Sequence, residues 1–222
     1  MDLFDYMRET AQETESPLAS RLRPRRLDEV VGQQHIIGKD KLLYRAIKAD
    51  KIGSIIFYGP PGTGKTTLAK VIANTTSAEF KQINATVAGK KDMEDVVKEA
   101  KESLGMYGKK TILFVDEIHR FNKGQQDYLL PFVEDGTLIL IGATTENPSF
   151  EINSALLSRC KVFILKALEE DDLKELLRRA LRSPKGLGNM QISIEDAHLS
   201  AIARFANGDA RTALNTLEMA VF

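Results

Sequence analysis

The feature that most constrains the fold is a glycine-rich segment at residues 59–66, GPPGTGKT, which fits the pattern G-x-x-x-x-G-K-[ST] at every fixed position. Glycines let the backbone N–H groups of such a loop turn inward around an anion. Lys65 would supply a positive charge to the terminal phosphates of a nucleotide, and Thr66 would supply a hydroxyl to Mg²⁺. An apolar run precedes the loop, and a helical pattern begins at Lys65. The sequence therefore predicts a nucleotide site between a strand and the positive end of a helix.

A second signal is the apolar run at residues 111–115, which ends in two carboxylates, Asp116 and Glu117. Taken alone, a strand that ends in acids is commonplace. Downstream of a phosphate loop it predicts a Walker B element, in which Asp116 and Thr66 hold Mg²⁺ and Glu117 orients the attacking water. The residues predicted to bind ATP are those of the loop and its flanks: Gly59, Pro60, Pro61, Gly62, Thr63, Gly64, Lys65, Thr66, Thr67 and Asp116.

The distribution of apolar residues predicts an α/β fold followed by an all-helical domain. Strands are predicted at 55–58, 80–84, 111–115, 138–142 and 162–165, and helices at 65–75, 91–103 and 122–134. Near-continuous apolar strands that alternate with helices indicate a parallel sheet covered by helices on both faces. The predicted domains are a flexible arm at 1–20, an ATP-binding αβα domain at 21–166 and a helical domain at 167–222.

The helical domain carries its own boundary signals. Ser193 with Asp196 is typical of a capping box that opens a helix, and Asn207-Gly208 is typical of its end. Asp209 is predicted to cap the next helix.

Composition narrows the function classes. Lys and Arg together number 31 and so do Asp and Glu, so the net charge is zero and no global attraction to nucleic acid is predicted. A single cysteine, Cys160, excludes an intrachain disulfide and a cysteine-rich zinc site. It is predicted to be a small apolar core residue. No signal peptide or membrane span is evident, which favours a reducing cytoplasmic compartment and no membrane partner.

Local basic segments at 21–26 and 39–51, and the pairs Lys90-Lys91 and Lys109-Lys110, are candidates for contact with DNA phosphates. The alternative for each is an ordinary solvated surface.

Four polar residues stand where a phosphate-loop enzyme needs them. Thr145 follows a strand and can hold water or the γ-phosphate, with simple strand-end hydrogen bonding as the alternative. Asn84 ends another strand and could restrain Glu117, although a local role is favoured. Arg159 precedes the last strand, where it could reach the γ-phosphate of a neighbouring subunit. Arg211 lies in the first turn of a helix, where a cation is unfavourable because the helix dipole is positive there. Its placement therefore indicates a local reason, such as a nearby anion.

Taken together, these motifs resemble the AAA+ ATPases. The resemblance implies a five-stranded parallel sheet of order 5-1-4-3-2 and a helical lid, with ATP bound at subunit boundaries. It assigns Thr145 as sensor 1, Arg159 as the arginine finger and Arg211 as sensor 2. The opening segment at 17–33 is similar to that of clamp-loader-like and RuvB-like members, where it lies against the adenine.

Residues 116–127 and 142–151 are most similar to one branch, the RarA/MgsA family, which is named for replication-associated recombination protein A and includes the Werner-helicase-interacting protein. This resemblance implies a DNA-stimulated, Mg²⁺-dependent ATPase acting in replication-fork maintenance, recombination and repair. It implies binding to DNA ends, forks and single-strand/double-strand junctions, contact with single-stranded-DNA-binding protein, and a cytoplasmic, nucleoid-associated location. The family's C-terminal region, which builds its tetramer, is not in this chain, so self-association is expected of the full-length protein.

Several alternatives stay open. Within the ATPases these are a clamp-loader subunit, which would require a sliding clamp, and a RuvB-like branch-migration motor, which would require a Holliday junction. A nucleotide-gated binding platform without essential hydrolysis is the alternative of another class, and Glu117 argues against it. A small-molecule kinase is the weakest, because no segment resembles an acceptor-binding lid.

Overall fold

The computed structural model describes residues 16–222. Its strands are β1 (Ile55–Tyr58), β2 (Glu79–Asn84), β3 (Thr111–Asp116), β4 (Leu138–Thr144) and β5 (Lys161–Ile164). Its α-helices are α1 (Leu18–Arg21), α2 (Gln34–Ile37), α3 (Leu42–Lys48), α4 (Lys65–Thr75), α5 (Lys90–Tyr107), α6 (Lys123–Glu134), α7 (Pro148–Glu151), α8 (Ser154–Leu157), α9 (Glu170–Arg182), α10 (Asp196–Ala206) and α11 (Ala210–Val221). Short 3₁₀ helices occupy Leu27–Glu29 and Ile118–Arg120.

The strands of the described residues form one parallel five-stranded sheet in the order β2-β3-β4-β1-β5. Read from the other edge, this is the order 5-1-4-3-2 that the resemblance implies. The central strand β4 pairs with β1 on one side and with β3 on the other. The loop that follows β1 and the carboxylates that end β3 therefore meet at the same edge, on either side of the end of β4.

Alternation along the strands divides the core between the two faces of the sheet. Ile55 and Phe57 of β1 face an apolar cluster with α3 and α4, whereas Ile56 between them faces a cluster with α5 and α6. Central parallel strands are buried on both faces, which explains why they lack polar alternation. The predicted α/β class, with helices on both faces, is confirmed.

Some predicted boundaries were too short. Helix α5 does not end at residue 103 but continues to Tyr107, where Gly108 adopts a left-handed conformation with φ 62°. Strand β4 runs two residues further than predicted, because Ala143 and Thr144 pair with Phe57 and Tyr58.

The segment 167–222 contains the helices α9, α10 and α11. Asp209 caps α11 as predicted, since its carboxylate accepts the N–H groups of Arg211 and Thr212. Asn207 ends α10 at φ 47°. The capping box predicted at Ser193 was wrong: Glu195 is the N-cap residue, because the chain is still extended there and the first helical residue is Asp196.

The predicted boundary at residue 20 was also wrong. The chain divides into Arg25–Lys166 and a second compact unit that combines residues 16–24 with Ala167–Phe222. Residues 16–20 are not a free arm, because Leu18 is fully buried in that second unit. The carboxylate of Glu218 accepts the Leu18 N–H at 3.0 Å and pairs with Arg21 at 2.9 Å. The predicted arm at 1–15 lies outside the described residues.

No helix in the described part of the chain is long and apolar enough to span a membrane.

Glu218→Ala tests this attachment of the N-terminal segment. We expect a loss of about 1–3 kcal/mol in unfolding free energy, because the largely buried Arg21 guanidinium and the Leu18 N–H lose their acceptor. Urea unfolding measures the loss, and limited proteolysis should show faster cleavage within residues 16–24. Met219→Ala, at an exposed neighbour on the same helix, is the control. Unchanged cleavage in Glu218→Ala would contradict the attachment.

Candidate nucleotide-binding and catalytic site

The glycine-rich segment forms the loop between β1 and α4. Gly64, the N-cap residue of α4, has φ 100°, a conformation that residues with a Cβ rarely adopt. Gly59 is needed for a different reason, since a Cβ there would lie 2.4 Å from the Leu165 carbonyl oxygen. Only glycine allows the loop to leave the sheet beside β5. The loop is thereby held close to the end of the sheet.

Lys65, the first residue of α4, has its ammonium group inside the loop. The residue is 8% exposed, and its Nζ donates to the carbonyl oxygens of Gly59 at 2.8 Å and Pro60 at 2.7 Å. The Thr63 hydroxyl also donates to the Pro60 carbonyl, at 2.8 Å. Thr66 and Thr67 follow in the first turn of α4. The loop thus holds the Lys65 ammonium and the Thr63 hydroxyl against its own carbonyl oxygens.

A buried glutamine braces the loop from behind. Gln33 Nε2 donates to the carbonyl oxygens of Thr63 at 3.2 Å and Lys166 at 2.7 Å, and its Oε1 accepts the Lys166 N–H at 3.1 Å. Gln33 is 5% exposed and has φ 61°. It ties the phosphate loop to the chain that leaves β5. The sequence indicated only that the segment ending at this residue matched a family opening, and nothing local marked its side chain as a brace.

The carboxylates lie across β4 from this loop. Asp116 is the last residue of β3, and Glu117 follows with φ 55°. Glu117 Oε2 lies 3.4 Å from His119 Nε2, and His119 Nδ1 lies 2.9 Å from the Thr144 hydroxyl. The carbonyl of Thr144 in turn accepts the N–H of Gly59 at 3.2 Å. An unbroken series of contacts therefore joins the phosphate loop to the Walker B glutamate.

Sequence reasoning missed His119 and Thr144 in this series. The predicted sensor, Thr145, is the next residue and is partly buried just beyond β4. Thr144 is fully buried and makes the contacts described above. The sequence does not show which of the two adjacent threonines is buried. That depends on where the strand ends, and Thr144 is its last residue, paired with Tyr58 of β1.

Asn84 ends β2 and lies in register with Asp116. Its side-chain oxygen accepts the N–H and the hydroxyl of Thr86, at 2.9 and 2.8 Å. In this structure Asn84 caps its own turn, whereas Glu117 contacts His119.

The two candidate arginines differ in setting. Arg159 lies between α8 and β5 and forms an ion pair with Glu134, the last residue of α6. Arg211 is exposed in the first turn of α11 and belongs to the helical unit. The sensor role of Arg211 stays a prediction.

Cys160, next to the candidate finger Arg159, packs against the core, and burial raises the pKa of its thiol to about 12. It is therefore a neutral thiol at physiological pH.

The donor set fits a nucleoside triphosphate with Mg²⁺. The buried ammonium of Lys65 lies inside the glycine-rich loop, where it donates to two carbonyl oxygens, and a cation beside the N-terminus of a helix suits an anionic phosphate group. The Thr66 hydroxyl and the Asp116 carboxylate are hard oxygen atoms of the kind that Mg²⁺ prefers, so they fit the predicted role of metal ligands.

Comparison with known proteins agrees with this geometry. Residues 55–168 match the family model "ATPase family associated with various cellular activities (AAA)". That range covers the sheet from the start of β1 to just past β5 and includes both Walker elements. The chain therefore belongs to the AAA family of ATPases.

Within that family, the chain is similar to members of one branch. The chain is 50% identical over 219 residues to replication-associated recombination protein A of Haemophilus influenzae, which covers 98% of this chain and 48% of that protein. It is 51% identical over 207 residues to the Escherichia coli K12 protein of the same name, covering 93% and 46%. The predicted resemblance to this branch is confirmed. The chain spans about half the length of these relatives.

Solved structures show a similar fold. The Holliday junction branch migration motor RuvB of Thermotoga maritima superposes with a TM-score of 0.70 at 32% identity, covering 89% of this chain and 64% of that one. A mutant of the same protein gives a TM-score of 0.74 at 30% identity, covering 89% and 65%.

Gln33→Ala tests the brace behind the phosphate loop. We expect a loss of about 2 kcal/mol in unfolding free energy, because three hydrogen bonds disappear and buried backbone groups lose their partners. Nucleotide affinity should fall as well, since the loop is less well held. Chemical unfolding and titration with a fluorescent ATP analogue measure the two effects. Gln34→Ala, at the exposed adjacent glutamine, is the matched control. Equal behaviour of the two variants would rule out the brace.

Proposed function

We propose that this chain is the ATP-hydrolysing part of a DNA-stimulated ATPase that acts in replication-associated recombination and fork maintenance. The observation that carries the ATPase proposal is the contact series from Gly59 through Thr144 and His119 to Glu117. A phosphate loop and a Walker B glutamate joined by one backbone hydrogen bond and two side-chain contacts are the two halves of a hydrolytic site. The names of the relatives support the role in recombination.

Binding begins at the phosphate loop. The Lys65 ammonium exchanges the Gly59 and Pro60 carbonyls for the β- and γ-phosphate oxygens, and the N–H groups at the start of α4 face the same anion. The Thr66 hydroxyl and Asp116 would hold Mg²⁺, which neutralises phosphate charge when bound. Thr67 and the glycines shape the loop around the phosphates.

Hydrolysis then needs a positioned water. Glu117 accepts a hydrogen bond from the attacking water and orients it in line with the leaving group. His119 lies beside this carboxylate and limits its rotation, because its other ring nitrogen is tied to Thr144. Thr145 would contact the water or the γ-phosphate from the end of β4.

Two arginines complete the proposed site. Arg159 would act in trans on the γ-phosphate bound by a neighbouring subunit, and Arg211, which belongs to the helical unit, would act as sensor 2. Self-association in the full-length protein is required for the first role. Loss of a finger arginine typically lowers turnover by about 10³–10⁵-fold.

Glu117→Gln tests hydrolysis against the nucleotide-gated platform. We expect turnover to fall by about 10²–10⁴-fold while ATP binding is retained, because the amide cannot accept a proton but keeps the shape of the carboxylate. Steady-state phosphate release and equilibrium ATP binding separate the two quantities. Glu102→Gln, at an exposed glutamate on α5, is the control. A platform without essential hydrolysis would keep its DNA response in Glu117→Gln.

For DNA we propose a basic groove in the ATP-binding unit. The groove has a volume of about 570 Å³, and its charged lining is Arg25, Arg26, Lys39, Lys48 and Asp28. Arg26 is paired with Asp28 at 3.0 Å and with Glu29 at 3.1 Å. Lys39 is exposed, and Lys48 lies over the ring of Tyr44 at 5.8 Å. A positively charged groove follows a nucleic-acid backbone, and an aromatic ring offers a surface on which a base can stack. Single-strand/double-strand junctions and single-stranded-DNA-binding protein are the proposed partners.

The double variant Lys39→Glu/Lys48→Glu tests this groove. DNA affinity should fall, and the slope of log affinity against log salt should become shallower by about 2, because two phosphate contacts are lost. Fluorescence anisotropy with a junction-bearing oligonucleotide at several salt concentrations measures both. The matched variant Lys98→Glu/Lys185→Glu makes the same change of charge at two exposed lysines outside the groove. If both variants lose affinity equally, general surface charge rather than the groove is responsible.

A RuvB-like branch-migration motor is the second candidate, and the structural similarity to that motor favours it. The two functions differ in stimulus. Turnover stimulated by single-strand/double-strand junctions supports the recombination factor, whereas stimulation by Holliday junctions alone supports the motor.

A further inference from the structure

The guanidinium of Arg159 is held inside its own subunit by oxygen acceptors from two elements. One terminal nitrogen donates to the Ala155 carbonyl at 2.7 Å and to the Ser158 hydroxyl at 3.0 Å, both from α8 and its end. The other terminal nitrogen pairs with the carboxylate of Glu134, which ends α6. These contacts use three of the five N–H donors of a guanidinium. The side chain is still 40% exposed, so a ligand can reach it.

The other end of α6 is tied to the segment that leads to the finger. Gln126, only 2% exposed, donates to the Glu151 carbonyl at 2.9 Å and accepts the Asn153 N–H at 2.8 Å. The Asn153 side chain donates to Asp127 at 2.7 Å. The segment 151–159 is therefore fastened to α6 near its beginning by Gln126 and Asp127, and at its end by Glu134.

Apolar packing joins the same two elements. Leu129 of α6 lies in one buried cluster with Ile152 and Leu156. The attachments at both ends flank this packed centre, so α6 and segment 151–159 are packed together along their length.

Helix α6 begins shortly after the catalytic carboxylate of the same subunit. After Glu117 come the 3₁₀ helix Ile118–Arg120 and then Asn122, whose side chain caps α6 through the Gln125 N–H at 2.9 Å. Arg159 is thus attached to α6, the first α-helix after the Walker B element of its own subunit.

We propose that Glu134 is a positioning residue that holds the Arg159 guanidinium ready to act in the site of a neighbouring subunit. The inference rests on the proposed function, in which Arg159 acts in trans. An arginine gives up rotamer freedom when it binds a phosphate, and less is lost if its side chain is already fixed. Among the acceptors that the structure describes for this guanidinium, Glu134 is the one that ties it to α6 rather than to its own segment.

Steady-state kinetics on the full-length gene product test this role. We expect Glu134→Ala to lower kcat by about tenfold, the scale of the arginine rotamer entropy, while the KM for ATP changes little. Glu134→Gln should recover most of the activity, because the amide oxygen still accepts from the guanidinium. In an Arg159→Ala background, Glu134→Ala should have no further effect. Glu102→Ala, on α5, is the control and should match the unaltered protein.

Mixing two kinds of variant subunit shows in which subunit Glu134 acts. Lys65→Ala subunits keep a finger without a working nucleotide site, and Arg159→Ala subunits keep the site without a finger. Mixing them should restore part of the turnover. Adding Glu134→Ala to the Lys65→Ala subunits should remove that gain, whereas adding it to the Arg159→Ala subunits should not. A structural defect would act in either subunit, so the mixture remains informative if Glu134→Ala alone lowers stability.

The possible failures are distinguishable. If Arg159→Ala lowers kcat but Glu134→Ala leaves it unchanged or raises it, the positioning role is overturned and the proposed function stands. If Arg159→Ala itself leaves turnover unchanged, the action in trans fails, and the role of Glu134 fails with it.

Discussion

The position of β4 between β1 and β3 is the constraint on which the rest of the site depends. Parallel pairing brings the carboxyl ends of the three strands to one edge, and the Gly59 N–H then bonds to the Thr144 carbonyl. The phosphate loop comes from β1, the carboxylates come from β3, and β4 fixes the distance between them. A ligand cleft at the carboxyl ends of the strands follows from this topology.

Polar side chains with little exposure secure this arrangement from three directions. Gln33 holds the phosphate loop from behind, His119 links Glu117 to Thr144, and Gln126 fastens the segment that begins at Glu151 to α6. Each joins backbone or side-chain groups far apart in the chain. Such residues contribute through satisfied hydrogen bonds, since a buried polar group without a partner is costly. They stabilise one arrangement of the loops rather than the sheet itself.

Much of the fold could be predicted because its signals are local. The phosphate loop needs glycine at fixed positions, the central strands are uniformly apolar, and Asp209 caps its helix with its own side chain. Boundaries were predicted less well where tertiary pairing or a distant partner decides them. Strand β4 lengthens through its neighbour β1, and the segment near Leu18 is ordered by Glu218 from the other end of the sequence.

The sequence by itself predicted the chemistry: Lys65, Thr66 and Asp116 stand out by type and spacing because few other side chains suit phosphate and Mg²⁺, and Glu117 stands out because it follows Asp116 at the end of an apolar strand. Only the tertiary structure decided how those residues are held. Thr144 rather than Thr145 takes the inward position at the strand end, Asn84 turns to its own loop, and Glu134 meets Arg159. These pairings depend on which elements pack side by side. Partners that are brought together by packing lie far apart in the sequence, so no repeating pattern of residues marks them.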